Sequence, residues 1–149
     1  MTALPLPDRK YVPGVTERHA EDAFDTIRDQ AKAVTETATA VENPAWAYGL
    51  RLFDAGFWWE AHEVLEPVWM NARPNSAERA MTQAVIQLAN GALKREMGAE
   101  RAWRRLCAIA LDLAAEATRV DAAPMGLAYA DLERAAGAIA AGDAPKLGA

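Results

Sequence analysis

Between residues 57 and 69 the chain reads Phe-Trp-Trp-Glu-Ala-His-Glu-Val-Leu-Glu-Pro-Val-Trp. His62 therefore lies close in sequence to Glu60, Glu63 and Glu66, among Trp58, Trp59 and Trp69. Clustered carboxylates raise one another's pKa, and a carboxylate beside an imidazole favours the charged ring. Groups tuned in this way exchange protons near neutral pH, which is the means of general acid–base catalysis. Trp is usually at least partly buried, whereas buried Glu and His need partners. The mixture describes a polar site walled by aromatic rings.

At about 100° per residue, Phe57, Trp58, Ala61, Val64, Leu65 and Val68 share one arc of a helix. Trp59, His62, Glu63, Glu66 and Trp69 occupy the opposite arc. His62 and Glu66 are four apart and can touch. A later helix carries Met81, Val85, Leu88, Ala89, Ala92 and Leu93 and is apolar almost all round, the mark of a central helix. Gln83, Gln87 and Asn90 nevertheless form one narrow stripe on it, continued by Lys94. Buried amides need partners, and the carboxylate–imidazole face offers them. The two faces are therefore expected to meet, with His62, Glu63 and Glu66 as the reacting groups and Glu60, Trp59, Trp69, Gln83, Gln87 and Asn90 as ligand-binding residues.

Three readings of this cluster stand side by side. The first is a pocket that binds a small polar ligand or does acid–base chemistry, with His62 and Glu66 exchanging a proton. The second is a structural or interaction module, a homo-oligomer, in which the same residues form a satisfied internal network that fixes helix pairing. The third is divalent metal binding through His62 and Glu66, with Glu63 or Gln87 nearby. The pattern His-Glu-x-x-His of zinc proteases has Glu66 in place of its second His, and the paired Glu-x-x-His motif of di-iron bundles is missing. No residue is therefore assigned as a metal ligand, and no cofactor is identified. His19, the only other histidine, is expected to be exposed.

The elements that must position these groups follow from local signals. Residues 1–15, with Pro5, Pro7, Pro13 and Gly14, form an extended arm that is ordered only if it docks. Residues 16–142 form a single helical domain, and residues 143–149 a loose tail. Within the domain, a first amphipathic helix runs from Thr16 to about Val41 on Ala20, Ala23, Phe24, Ile27, Ala31, Val34, Ala38 and Val41. Asn43-Pro44 starts a second helix, which Gly56 stops. The third spans Phe57 to about Asn71, with Pro67 inside it and a kink expected near Glu63–Glu66. Asn75 and Glu78 read as a capping box opening the fourth, to Met97. A fifth covers Ala99 to Thr118 and a last one Leu127 to Ala141. Short connections favour antiparallel neighbours, so the expected fold is all-α, a compact antiparallel helical bundle of five or six helices.

Composition narrows the function classes. The 149 residues are 52% hydrophobic, enough for one domain with a full core. The formal net charge is −5, and the basic groups Lys94–Arg95 and Arg101–Arg104–Arg105 are local, so neither nucleic acid nor anionic membrane is an expected partner. No apolar run approaches the roughly 20 residues that span a bilayer. The single Cys107 sits in an apolar run and reads as a small hydrophobe. A cytoplasmic location is expected. There is no Gly-rich phosphate loop and no Gly-x-Ser-x-Gly elbow.

The pattern Phe53-x-x-Gly56-Phe57-Trp58-x-Glu60-Ala61-His62-Glu63-x-Leu65-Glu66-x-x-Trp69 resembles the signature of the domain of unknown function 309 family. Gln83-Ala-Val-Ile86-Gln87-Leu-Ala89 and Met97-Gly98-Ala-Glu-Arg-Ala102-Trp-Arg-Arg-Leu106 extend the resemblance, which covers about residues 46–140. It implies a small all-helical bundle and a shared pattern of Glu60, His62, Glu63, Glu66, Trp69, Gln83 and Gln87, without implying a reaction. Gly98-Ala99 departs from the family's frequent Gly-Asn, and Lys94 stands where a basic or His residue often follows the second Gln.

Overall fold

The computed structural model describes residues 4–148. Among them are α1 (Asp25–Asp29), a 3-10 turn (Thr37–Glu42), α2 (Pro44–Asp54), α3 (Trp58–Met70), α4 (Ala77–Glu96), α5 (Glu100–Ala117), a second 3-10 turn (Pro124–Gly126) and α6 (Tyr129–Ala141). The described residues contain no strand, and the fold is all-α as expected. The first three residues of the arm and the last of the tail lie outside the described range.

α4 is the central helix. Met81, Val85, Leu88, Ala89 and Ala92 are wholly buried, and α3, α5 and α6 all pack on it. Gly91 lets α5 come close: a Cβ there would stand 3.3 Å from the Cys107 sulfur. That thiol is buried, and burial raises its pKa, so it behaves as a small hydrophobe. α2 meets α3 in the same manner, with Gly49 against the wholly buried Leu65.

Two helix starts differ from the sequence reading. The cap of α4 is Ser76, whose hydroxyl accepts from the Arg79 N–H. Asn75 turns the chain with φ +62, and the Glu78 carboxylate accepts instead from the N–H and hydroxyl of Thr37. Asn43 does precede α2, but its side chain makes no cap bond. It is buried and its Oδ1 accepts from the Lys32 N–H at 3.4 Å.

The predicted first helix, Thr16 to Val41, does not form. Only Asp25–Asp29 is α-helical, followed by the 3-10 turn. The backbone of the intervening segment is satisfied from elsewhere: Thr35 donates its N–H to the Asn71 carbonyl and its hydroxyl to the Val68 carbonyl, while Asn71 donates to the Lys32 carbonyl. Thr readily bonds neighbouring backbone in non-helical conformations, and here that backbone is the end of α3.

Both ends of the described range dock. In the arm, Tyr48 donates its hydroxyl to the Pro5 carbonyl and Arg51 donates to the Leu4 carbonyl, each at 2.7 Å, while Val12 is buried. The tail expected to be loose is held by Asp54, whose carboxylate accepts from the N–H of Leu147 and of Gly148. Leu147 joins the core. The C-terminal run of small and polar residues hides one apolar anchor and a carboxylate cap.

Candidate functional site

Glu60 is the wholly buried acid of the molecule's aromatic face. It lies one turn before Val64 and two before Val68, so the three share a stripe of α3, and both valines are wholly buried. One carboxylate oxygen of Glu60 accepts the Tyr11 N–H at 2.7 Å and lies 2.6 Å from Nε2 of His19. Its other oxygen is buried without a partner among the described residues. The His19 side chain is 10% exposed, so the histidine expected on the surface is in fact the partner of the buried acid. Its burial costs less because the carboxylate answers the ring N–H.

Aromatic rings frame this pair. His19 stacks on Trp59, with centroids 5.8 Å apart and planes 26° from parallel. Phe24 meets His19 edge-on at 5.1 Å, and Tyr11 meets Trp59 edge-on at 5.0 Å. Two clefts adjoin His19. The larger, about 800 Å³, runs between arm residues 4–9 and the Phe24, Ile27, Pro44 and Tyr48 side. The smaller, about 300 Å³, is bordered by Arg18, Phe24, Asp25, Arg28, Trp59 and Glu63. Tyr48 has its pKa raised, chiefly by burial and further by the Glu60 charge, with Arg51 acting the other way.

The predicted reacting groups do cluster, but around an arginine that sequence spacing did not reveal. Nε2 of His62 lies 3.8 Å from Glu66, and Nδ1 lies 4.0 Å from Glu63. Arg28 of α1 reaches both acids, at 3.8 Å for Glu63 and 3.3 Å for Glu66. The reason lies in Pro67. A proline inside a helix cannot donate to the carbonyl four residues earlier, which is that of Glu63. The Arg28 guanidinium donates to that carbonyl instead, and its charge then sits between the two carboxylates. These side chains are 26–41% exposed, so the attraction is screened by water.

α3 and α4 do pack together, but the expected hydrogen bonds between them are not seen. None of Gln83, Gln87 and Asn90 makes a side-chain hydrogen bond to His62, Glu63 or Glu66, and neither described cleft is bordered by them, by His62 or by Glu66. Trp59 and Glu63 do border the smaller cleft. Trp69 is covered by Arg79 of α4, whose guanidinium lies 4.1 Å from the ring centroid. Among the described residues no group of three His, Cys, Asp or Glu side chains is gathered as a metal ion would require, and no helix is long and apolar enough to cross a membrane.

Sequence reasoning missed His19, Tyr11 and Arg28. The signal available for Glu60 was its place on the Val64–Val68 stripe, since a carboxylate on a buried stripe must have a partner. Nothing in local spacing pointed to residues 41 and 49 positions away.

The described residues thus form an all-α protein in which a buried glutamate of the third helix pairs with His19 of the N-terminal segment. Residues 46–106 match the family model described as Domain of unknown function (DUF309), a stretch that takes in most of α2, all of α3 and α4, and the start of α5. The match stops short of the stretch to residue 140 over which the resemblance was expected. Glu60, His62, Glu63 and Glu66 fall inside it, and His19, Tyr11 and Arg28 outside it. No curated protein and no solved structure matches the chain.

Proposed function

We propose that the chain binds a small, partly apolar ligand carrying a polar group in the clefts around His19, and that His19 moves a proton there with Glu60 behind it. With the ring N–H at Nε2 held by the carboxylate, a neutral imidazole carries its lone pair at Nδ1, the form of a positioned base. Glu60 fixes the tautomer and orientation of the ring. Trp59 and Phe24 hold the ring plane. Glu63, on the smaller cleft, would meet a hydrogen-bond donor of the ligand, while His62, Glu66 and Arg28 keep α1 fastened to α3.

The observation that carries this reading is Glu60: a wholly buried carboxylate with one unpartnered oxygen, beside a histidine that borders two clefts. Costly buried polar groups next to clefts are where sites are found. The test is a nuclear magnetic resonance screen of small amines, carboxylic acids and polyols against protein labelled at histidine and tryptophan. Binding that shifts the His19 ring and the Trp59 indole, and that His19→Gln abolishes, is the expected result. Ligands that shift only His62, or none that shift His19, would overturn it.

A second reading rests on the Tyr11 N–H, which Glu60 also holds. There the pair is a latch for the arm and does no chemistry. Breaking the buried pair costs stability in either reading, so the ligand screen separates the two: if the pair is only a latch, no ligand shifts the His19 ring.

A further inference from the structure

We infer that residues 4–19 open and close over the larger cleft as one internally braced strap, carrying His19 away from Glu60 when they lift. The bracing lies between residues 9 and 18, and the proline-rich stretch before it leads to the far fastening. Arg9 donates to the carbonyls of Glu17 and Arg18. Thr16 accepts from the Val12 N–H and donates to the Lys10 carbonyl, and the Thr16 N–H returns to the Val12 carbonyl. These bonds need no other part of the protein.

The fastenings to the body lie at separate points, and one of them is apolar: Val12 is buried in the core. At one end Tyr48 and Arg51 hold the Pro5 and Leu4 carbonyls. At the other, Glu60 holds the Tyr11 N–H and the His19 ring. Lys10 adds a 2.7 Å ion pair to Glu96 and lies over the Trp58 ring. Between the two ends, Leu6, Asp8 and Arg9 are exposed while bordering the cleft. That exposed part buries little, so opening requires only the fastenings and the Val12, Tyr11 and His19 contacts to part, which costs less than global unfolding. Because one carboxylate holds both the strap backbone and the imidazole, lifting the strap and dismantling the His19–Glu60 pair are a single event.

Residue-resolved amide hydrogen exchange on the full chain tests this. The Tyr11 amide, bonded to the body, should exchange faster than the amides of α4. The amides of Val12 and Thr16, bonded within the strap, should exchange more slowly than that of Tyr11. Tyr48→Phe and Arg51→Ala each remove one fastening at the far end. Each should speed exchange at Tyr11, and at the His19 ring N–H, by roughly two- to tenfold, as expected for one lost hydrogen bond, with α4 unchanged. Three results would overturn the inference: Tyr11 exchanging only at the rate of the α4 core, Tyr11 unaffected by both substitutions, or Tyr11, Val12 and Thr16 exchanging together as a melting chain. The strap moves in this way whether or not the cleft takes a ligand, so a failed ligand screen leaves these rates as the deciding result.

Discussion

Glycine to alanine should have opposite signs at two helical positions of this fold. Gly49 lies in α2 and Gly137 in α6. In a helix interior, Gly is worse than Ala by about 0.5–1 kcal/mol. At Gly137 a Cβ meets nothing within 4 Å, so that gain is realised in full. At Gly49 a Cβ would stand 2.4 Å from one Leu65 methyl and 2.6 Å from its Cγ, where carbon pairs settle at about 3.5–4.0 Å. Leu65 must retreat by about 1 Å, and it is wholly buried, with no open side to retreat into. Overpacking of this kind costs about 1–3 kcal/mol, and the closeness of two atoms places it at the upper end. Gly49→Ala should therefore lose about 1–2 kcal/mol net. For a chain of this length 1 kcal/mol is about 2–4 °C, so the two variants should be separated by roughly 3–12 °C in Tm. Urea unfolding followed by circular dichroism gives the free energies directly. Equal stability of Gly49→Ala and the parent protein, or shifts of the same sign in both variants, would refute the close approach of α2 to α3. That approach also sets where Tyr48 and Arg51 stand to hold the strap.

Three further outcomes are expected. Pro67→Ala supplies a new N–H to the Glu63 carbonyl, where the Arg28 guanidinium now sits, so Arg28→Ala should cost about 1 kcal/mol less in that background; strictly additive effects in a double-mutant cycle would show that the two donors do not compete. The raised pKa values of Tyr48 and Cys107 mean that the unfolded chain loses these protons first: stability is complete below the unfolded values, about 8.5 for the thiol and 10 for the phenol, and falls as pH rises through the folded ones. Tyr48→Phe should flatten the higher part of that decline and Cys107→Ala the lower part in unfolding measurements across alkaline pH. Asp54→Ala removes the acceptor of two tail amides and should lower stability by about 1–3 kcal/mol while speeding tryptic cleavage at Lys146; an unchanged cleavage rate would mean the tail is held by Leu147 alone.

The helices from Pro44 onward were legible because their boundaries are written locally, in Asn43-Pro44, in Gly56, Gly98 and Gly142, and in apolar positions three and four apart. The segment before them was not. Its apolar residues have helical spacing, but Val34 and Val41 are exposed, and its threonines bond to the end of α3 rather than to a helix of their own. The candidate site divides along the same line. His62, Glu63 and Glu66 were found because they share one face of one helix. Glu60 was named as a ligand-binding residue without its partner, since the wheel shows only that a carboxylate borders the core. His19 and Arg28 reach α3 through tertiary folding, and Arg28 is drawn there by a carbonyl that Pro67 leaves open. Helical periodicity carries no information about such distant donors.

Helix α2 holds both ends of the described chain. Arg51 binds the Leu4 carbonyl, and Asp54, three residues on, binds the Gly148 N–H. The path of the polypeptide is therefore nearly a closed ring. A short linker between the ends could complete that ring, and the exposed Arg73-Pro74-Asn75 loop offers a place to cut it anew. Such a circular permutant of residues 4–148 would begin at α4, the central helix, and would carry the arm as an internal loop.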